Sequence, residues 1–192
     1  MSKTKLFSNV MSALVVAGCL GSPQALAQAS TSQEGLHAVV RAKSDTARGL
    51  RWELGWGAVF AYEEASGRFI RRISLADASF SGARGACRPG LLLSRSGAVI
   101  VSSNIEPVLW RIDPATFEVR RYDIVPDSDR SKDFGFSALA WDANEKVLYA
   151  ASAMMGTLWR IDLDAATATK ISWSPRIRGE CAPAEQALAS LR

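Results

Sequence analysis

Few residues in this sequence are of the types that carry catalytic or metal chemistry. The chain of 192 residues contains one histidine, His37, and three cysteines, Cys19, Cys87 and Cys181. A lone histidine with no visible partner argues against a histidine-based metal site, and we assign His37 a structural role. A catalytic cysteine is not expected either, because no base can be assigned to activate it. The sequence therefore predicts no catalytic residue, no metal and no cofactor.

Cys87 and Cys181 occur in matching surroundings. Each lies in an Arg-Gly-X-Cys-X-Pro segment, at residues 84–89 and 178–183. In an oxidising compartment such a pair favours a disulfide. Bonding requires Cα atoms about 4.4–6.8 Å apart, which matching positions in distant parts of a chain need not satisfy. An intrachain bridge, an interchain bridge and free thiols all remain open.

A run of charged residues at 127–133 superficially resembles a calcium-binding loop. It reads Asp-Ser-Asp-Arg-Ser-Lys-Asp, so Arg130 and Lys132 interrupt the acidic pattern. The glycine turn and the bidentate glutamate of an EF-hand are missing. We interpret the run as a solvated loop.

The first 27 residues have the pattern of an export signal. Two lysines are their only charges, and the apolar stretch at 10–20 is too short to span a bilayer. Cleavage after Ala27, behind small residues that a signal peptidase accepts, would leave Gln28 first. The alternative is lipidation at Cys19, which follows Val-Ala-Gly as in a bacterial lipobox. Both outcomes predict a periplasmic or secreted protein, with a membrane anchor only if Cys19 is lipidated.

The charge balance gives no case for a nucleic-acid partner. Without residues 1–27 the chain has 21 Lys and Arg against 19 Asp and Glu, a net charge of +2. Nucleic-acid-binding domains are usually far more basic. Hydrophobic residues make up 48% and charged residues 22%, which is ordinary for a globular protein and excludes a disordered chain.

The rest of the chain is built from repeats. The pentapeptide Leu-Trp-Arg-Ile-Asp occurs at residues 109–113 and again, 49 residues later, at 158–162. The flanking segments repeat as well. A weaker earlier copy places Glu63 in register with Asp113. A period near 50 residues is typical of a repeat architecture.

Each repeat contains short β-type runs separated by turn residues. Four antiparallel strands in 40 to 50 residues form the blade of a β-propeller. Trp110 and Trp159 fall in the third run of their repeats, so we expect them on equivalent strands, packed between blades. The fourth run carries paired arginines, which would keep an outer edge strand from pairing with other chains. These pairs are Arg71-Arg72 and Arg120-Arg121.

The predicted fold is all-β, with about three propeller-type blades of four antiparallel strands behind a signal peptide. The predicted segments are a linker at 28–35, a repeat domain at 36–183 with blades at about 36–75, 90–124 and 137–174, and a tail at 184–192. The tail has helical propensity. Closed propellers have four to eight blades. Three blades therefore indicate a ring completed by two chains, a truncated relative of a longer propeller, or an open stack of sheets.

Open outer faces on the first and last blades would expose apolar side chains. The residues concerned are Trp52, Leu54, Trp56, Val59 and Phe60 in the first blade and Trp141, Leu148, Leu158 and Trp159 in the last. A large exposed apolar surface is rare on a stable monomer. We therefore expect self-association, or a protein partner, to cover these faces.

Two segments resemble known propeller repeats. Residues 99–104 with 107–116 resemble the YVTN-type repeat, and residues 139–162 resemble a blade of the gluconolactonase-like (senescence-marker-protein) group. The resemblance extends over about residues 48–173 and implies blade architecture. It does not specify a function, because propellers include hydrolases, dehydrogenases and scaffolds.

The gluconolactonase-like resemblance implies a divalent metal held by Glu, Asn and Asp. Here Phe136-Ser137 stands where that group has Asn-Gly, and Ser152 stands where it has Asp. Two ligand positions are therefore missing, and it stays open whether Asn104 or Glu106 substitutes. The sequence leaves two functions: an exported noncatalytic binding or scaffold module, or a degenerate metal-dependent lactone or ester hydrolase.

Overall fold

The computed structural model describes residues 38–83, 86–128, 134–174 and 176–190. The predicted export signal with Cys19, Ala27 and Gln28 lies outside the described residues. His37 and most of the charged run at 127–133 lie outside them as well.

The described residues form three antiparallel sheets and one helix, in the order of the chain. Sheet 1 contains β1 (Arg41–Asp45), β2 (Leu50–Leu54), β3 (Ala58–Glu63) and β4 (Phe69–Ser74). Sheet 2 contains β5 (Leu91–Leu93), β6 (Val99–Ser102), β7 (Val108–Ile112) and β8 (Val119–Asp123). Sheet 3 contains β10 (Ala138–Trp141), β11 (Leu148–Ser152), β12 (Thr157–Asp162) and β13 (Thr167–Trp173), joined by β9 (Val125–Pro126). The helix α1 spans Cys181–Ala189.

In the second and third repeats, the aspartate at the end of the third strand builds the following turn. The Asp113 carboxylate accepts the N–H groups of Ala115 at 2.8 Å and Thr116 at 3.0 Å. Asp162 accepts two turn N–H groups in the same way, each at 3.0 Å. Four residues after each acid the backbone is left-handed, at Phe117 (φ 61°) and Ala166 (φ 52°). The repeated aspartate thus has a structural explanation, since such a side chain mimics a backbone turn.

The three sheets stack face to face. The first core, between sheets 1 and 2, includes Trp52, Leu54, Val59, Val101, Trp110 and Ile112. The second core, between sheets 2 and 3, includes Ile100, Leu109, Phe134, Phe136, Leu148 and Trp159. Both faces of sheet 2 are therefore covered, which explains why β5 and β6 do not alternate apolar and charged residues. The first strands lie closest together, with β5 in contact with β1 and β10.

Trp110 and Trp159 lie on the third strand of sheets 2 and 3, and neither is exposed to solvent. Each indole packs in the core shared with the preceding sheet. The Trp110 N–H donates to the carbonyl oxygen of Ala76 at 3.2 Å, and that of Trp159 donates to Thr157 Oγ1 at 2.7 Å. Both side chains therefore combine apolar burial with a satisfied donor.

The helix α1 covers the face of sheet 3 that points away from sheet 2. Ala184 and Leu188 are buried there against Ala151 and Leu158. The helix begins at Cys181, three residues before the predicted tail. None of the described helical residues forms a helix long and apolar enough to cross a membrane.

Sheet 3 departs from the predicted four strands because β9 adds a fifth. The chain leaving sheet 2 pairs in parallel with the edge strand β13. The Val125 N–H donates to the carbonyl oxygen of Ala166 at 2.9 Å, and the Asp127 N–H donates to that of Ala168 at 2.9 Å. An edge strand presents unpaired backbone groups, and β9 satisfies part of this edge.

Candidate functional site

The residues singled out as metal-ligand candidates meet at one end of the sheets, here called the loop end. It carries the β6–β7 and β11–β12 connections and the segments that enter β5, β10 and α1. A cavity of about 500 Å³ opens there. Its walls are formed by Ser81, Ala86, Cys87, Asn104, Ile105, Gly135, Ser137, Ala153, Met154, Arg178 and Gly179.

Asn104 reaches this cavity, and its side chain forms three hydrogen bonds with the backbone. Its Oδ1 accepts the N–H of Ser81 at 2.9 Å. Its Nδ2 donates to the carbonyl oxygens of Ser81 and Cys87, both at 2.8 Å. The amide thereby fastens the segment between β4 and β5 to the β6–β7 loop. Its oxygen already accepts one of the two hydrogen bonds that an amide oxygen can accept.

The serines at the two substituted ligand positions are also structural. The Ser137 hydroxyl donates to the carbonyl oxygen of Ala151 and accepts the N–H of Ala153, both at 3.2 Å. The Ser152 hydroxyl, which is not exposed, accepts the N–H of Met155 at 3.4 Å. Buried hydroxyls need such partners, and here each one holds the loop beside it.

Glu106 lies half-buried in the β6–β7 loop and does not line the cavity. Within the described ranges, no group of three or more His, Cys, Asp or Glu side chains is placed to hold a metal ion. Neither Asn104 nor Glu106 therefore assembles a carboxylate cluster of the kind that oxygen-liganded metals use.

Cys87 and Cys181 form an intrachain disulfide with their Cα atoms 5.3 Å apart. Of the three alternatives that the sequence left open, the structure contains this one. The bond joins the segment entering β5 to the first residue of α1. It also removes Cys87, a wall residue of the cavity, from any role as a thiol nucleophile.

Gly135 allows the cavity wall to close around the β6–β7 loop. A side chain here would overlap the backbone of Asn104 and Ile105. The next N–H, of Phe136, donates to the carbonyl oxygen of Ser103 at 2.7 Å. The position therefore needs glycine for close backbone approach.

The described wall of the loop-end cavity contains one charged side chain. Among the wall residues that the structure describes, it is the side chain of Arg178. A guanidinium does not lose its proton near neutral pH, so it cannot act as a general base. Sequence reasoning did not single out Arg178, Ile105 or Met154, although Arg178 lies in the repeated Arg-Gly-X-Cys-X-Pro segment.

The described carboxyl groups with lowered pKa lie in turns at the opposite end, here called the turn end. Hydrogen bonds from the N–H groups of Thr116 and Ala115 lower the pKa of Asp113. The N–H of Val147, with that of Lys146, lowers the pKa of Asp142. These shifts come from turn geometry, so they carry no indication of acid–base catalysis.

No protein-family model and no curated protein matches this chain. Among solved structures it is similar to hydrazine synthase of Kuenenia stuttgartiensis, with a TM-score of 0.55 and 10% sequence identity. The match covers 77% of this chain and 39% of the hydrazine synthase chain. The chain thus spans well under half of that neighbour. At this identity the likeness concerns the fold alone.

Proposed function

We propose that this protein is an exported, noncatalytic binding or scaffold module built from propeller-type blades. The observation that carries the proposal is the set of three hydrogen bonds that tie the Asn104 amide to the backbone of Ser81 and Cys87. Together with the hydrogen-bonded hydroxyls of Ser137 and Ser152, these bonds hold the loops of the loop end in place. Such a rigid frame suits the display of a binding surface.

The blade interpretation is supported by the repeat and by the stacking of the sheets. Each sheet contains a four-stranded meander, and the first strand β5 contacts the first strands β1 and β10. On the outer side of sheet 3, α1 occupies the place that a further sheet would take in a ring. We propose that the chain is an open three-blade stack that the helix closes at one end.

Export is supported by the N-terminal sequence pattern and by the disulfide, since disulfides persist in oxidising compartments. The intact mass of the protein recovered from the producing cells tests this. We expect a chain that begins at Gln28 or one that begins at lipidated Cys19. A full-length product retained in the cytoplasm would contradict the proposal.

The alternative, a degenerate metal-dependent lactone or ester hydrolase, is tested with purified protein. We expect lactone and ester cleavage at the buffer rate in the presence of Ca²⁺, Zn²⁺, Mg²⁺ or Mn²⁺. The proposal fails if a metal supports turnover, a chelator removes it, and Glu106→Gln lowers it. That pattern would show that Glu106 recruits a metal despite its position outside the cavity wall.

Self-association stays a proposal, but the structure changes which apolar residues could form the contact. Most of the apolar residues that prompted it are buried within the chain, including Trp52, Leu148 and Trp159. Leu158 is covered by α1, whereas Trp56 is 48% exposed. Light scattering at micromolar concentration distinguishes a monomer from a dimer. A shift to monomer in Trp56→Ser would locate the contact.

A further inference from the structure

At the turn end, the gap between sheets 1 and 2 is filled by a stack of side chains. The ring of Phe117 lies 6.0 Å from that of Trp52. On the Phe117 ring lies the guanidinium of Arg71, with its carbon 5.6 Å from the ring centroid. Phe117 comes from the β7–β8 turn of sheet 2 and reaches back onto sheet 1.

The gap between sheets 2 and 3 has different residues at the same positions. The strand register defines which residues are equivalent. In sheet 1, Trp52 pairs with Ala61 and Ala61 with Arg71. In sheet 2 the same positions are Ile100, Arg111 and Arg120, which pair in the same order. The turn residue Phe117 corresponds to Ala166, four positions after the repeated aspartate. Both large rings are thus replaced, by Ile100 and Ala166.

This exchange leaves the second gap open at the turn end. A cleft of about 400 Å³ lies there, with Arg111 and Tyr122 on one wall and Trp141 and Lys146 on the other. Trp141 is half-buried, and its indole N–H is buried with no acceptor among the described residues. We call this space the turn-end cleft.

The charged side chains of the cleft differ in how many partners they have. Arg111 is exposed and forms neither a hydrogen bond nor an ion pair with any described residue, although its charge helps to lower the pKa of Asp113. Arg120, which is not a wall residue of the cleft, rests on the ring of the wall residue Tyr122 at 4.8 Å. By contrast, Glu145 accepts the Arg95 N–H at 2.9 and 2.7 Å.

The remaining acidic side chains of the cleft would repel a ligand carboxylate only weakly. One oxygen of Asp162 is occupied by turn N–H groups. Asp164 lines the cleft and is exposed, so water screens its charge. Arg160 also lines the cleft, but along β12 it alternates with Trp159 and Ile161 of the second core, so its side chain leaves from the opposite face of sheet 3. Arg111 is therefore the guanidinium best placed to pair with an incoming anion.

We propose that the turn-end cleft binds a small ligand that carries a carboxylate and a flat apolar face. A guanidinium pairs bidentately with a carboxylate, and Trp and Tyr rings pack against flat apolar faces. Uronic-acid sugars and aromatic carboxylates share this chemistry. The inference rests on the proposed binding role and deepens it by naming the site and the ligand class.

Isothermal titration calorimetry on the full chain tests the site. The probes are tri-galacturonate and 2-naphthoate, and the neutral controls are maltotriose and 2-naphthalenemethanol. We expect saturable binding of at least one carboxylate, weakened by added salt, and at least tenfold weaker binding of its neutral counterpart. The carboxylate that binds shows whether the ligand is a uronic-acid sugar or an aromatic carboxylate. Equal binding of the neutral controls, or no binding of either acid, would overturn the proposal.

Two variants locate the binding. Ala166→Phe introduces the ring that fills the other gap, at a backbone position that already accepts phenylalanine in the repeat. Arg111→Ala introduces the residue that sheet 1 has at this place. We expect each to weaken binding about tenfold or more. Ala166→Phe would fill space in the cleft, and Arg111→Ala would remove hydrogen bonds to a charged group, which are strong.

The matched control is Arg72→Ala, which removes an exposed arginine of sheet 1 that donates to Ser74 at 2.9 Å. It should leave binding unchanged. Thermal unfolding of all three variants verifies that they fold. Unchanged affinity in folded Ala166→Phe would place the ligand elsewhere and overturn the proposal. That result would leave the noncatalytic role intact, because only metal-dependent turnover contradicts it.

Discussion

The guanidinium of Arg41 lies 2.7 Å from the carboxylate of Glu185, which is 144 residues further along the chain. The same side chain donates to the carbonyl oxygens of Pro89 at 2.7 Å and Ser137 at 3.2 Å. One residue of β1 thus holds α1 and the segments that enter sheets 2 and 3. The end helix is therefore connected to all three repeats.

Loss of Arg41 is expected to destabilise the fold more than loss of Glu185. Arg41→Ala leaves the buried Pro89 carbonyl without its donor, which should cost about 1–3 kcal/mol. Glu185 is 50% exposed, so Glu185→Gln should cost less than about 1 kcal/mol. Urea denaturation measures both, with Arg72→Ala as a surface control. Equal effects of the two substitutions would show that the ion pair, and not the carbonyl bonds, matters.

The disulfide is expected to contribute strongly to stability. Cys87 and Cys181 are 94 residues apart, and closing a loop of this size stabilises the folded state by about 2–5 kcal/mol. The Cys87→Ala/Cys181→Ala double variant and the reduced wild type should both unfold at lower denaturant concentration. Hydrogen exchange should show α1 losing protection before β6 does. Identical unfolding midpoints with and without reductant would refute this.

Trp110 and Trp159 are expected to contribute equally to the stability of the fold. Trp110→Ala and Trp159→Ala each remove a fully buried indole, and each should cost about 3–5 kcal/mol. Trp173→Ala is the matched control, because its side chain is 55% exposed and should change stability by less than about 0.5 kcal/mol. Thermal or denaturant unfolding distinguishes them. A neutral Trp159→Ala would contradict its burial between sheets 2 and 3.

Acid is expected to weaken the turns at Asp113 and Asp142. Their pKa values are lowered in the folded state by turn N–H groups, those of Thr116 and Val147 first. Their contribution is therefore present above the usual aspartate pKa of about 3.9 and is lost as the pH falls through the folded pKa. The melting temperature of the protein should therefore decrease as the pH falls below about 3.9.

Asparagine at both positions keeps the acceptor oxygen but cannot titrate. The Asp113→Asn/Asp142→Asn variant should lose less melting temperature than wild type between about pH 4 and about pH 2. The control is Asp164→Asn, in the β12–β13 turn, whose acid sensitivity should match that of wild type. Parallel curves for wild type and the double variant would argue that other groups dominate acid unfolding.

What the sequence by itself determined is local. The 49-residue repeat indicated the three four-stranded units. The positions of Glu63, Asp113 and Asp162 follow from the repeat, and Asp113 and Asp162 act on N–H groups within a few residues of them. The helical propensity of the tail is likewise a short-range property.

Only the tertiary structure decided which repeats differ in their packing. The Cys87–Cys181 bond, the Arg41–Glu185 pair and the pairing of β9 with β13 all join distant segments, so no local pattern encodes them. The amide of Asn104 is a metal-ligand candidate in the sequence and a backbone fastener in the fold. Phe117 and Ala166 occupy the same repeat position, and only the packed sheets show that one fills its gap while the other leaves a cleft.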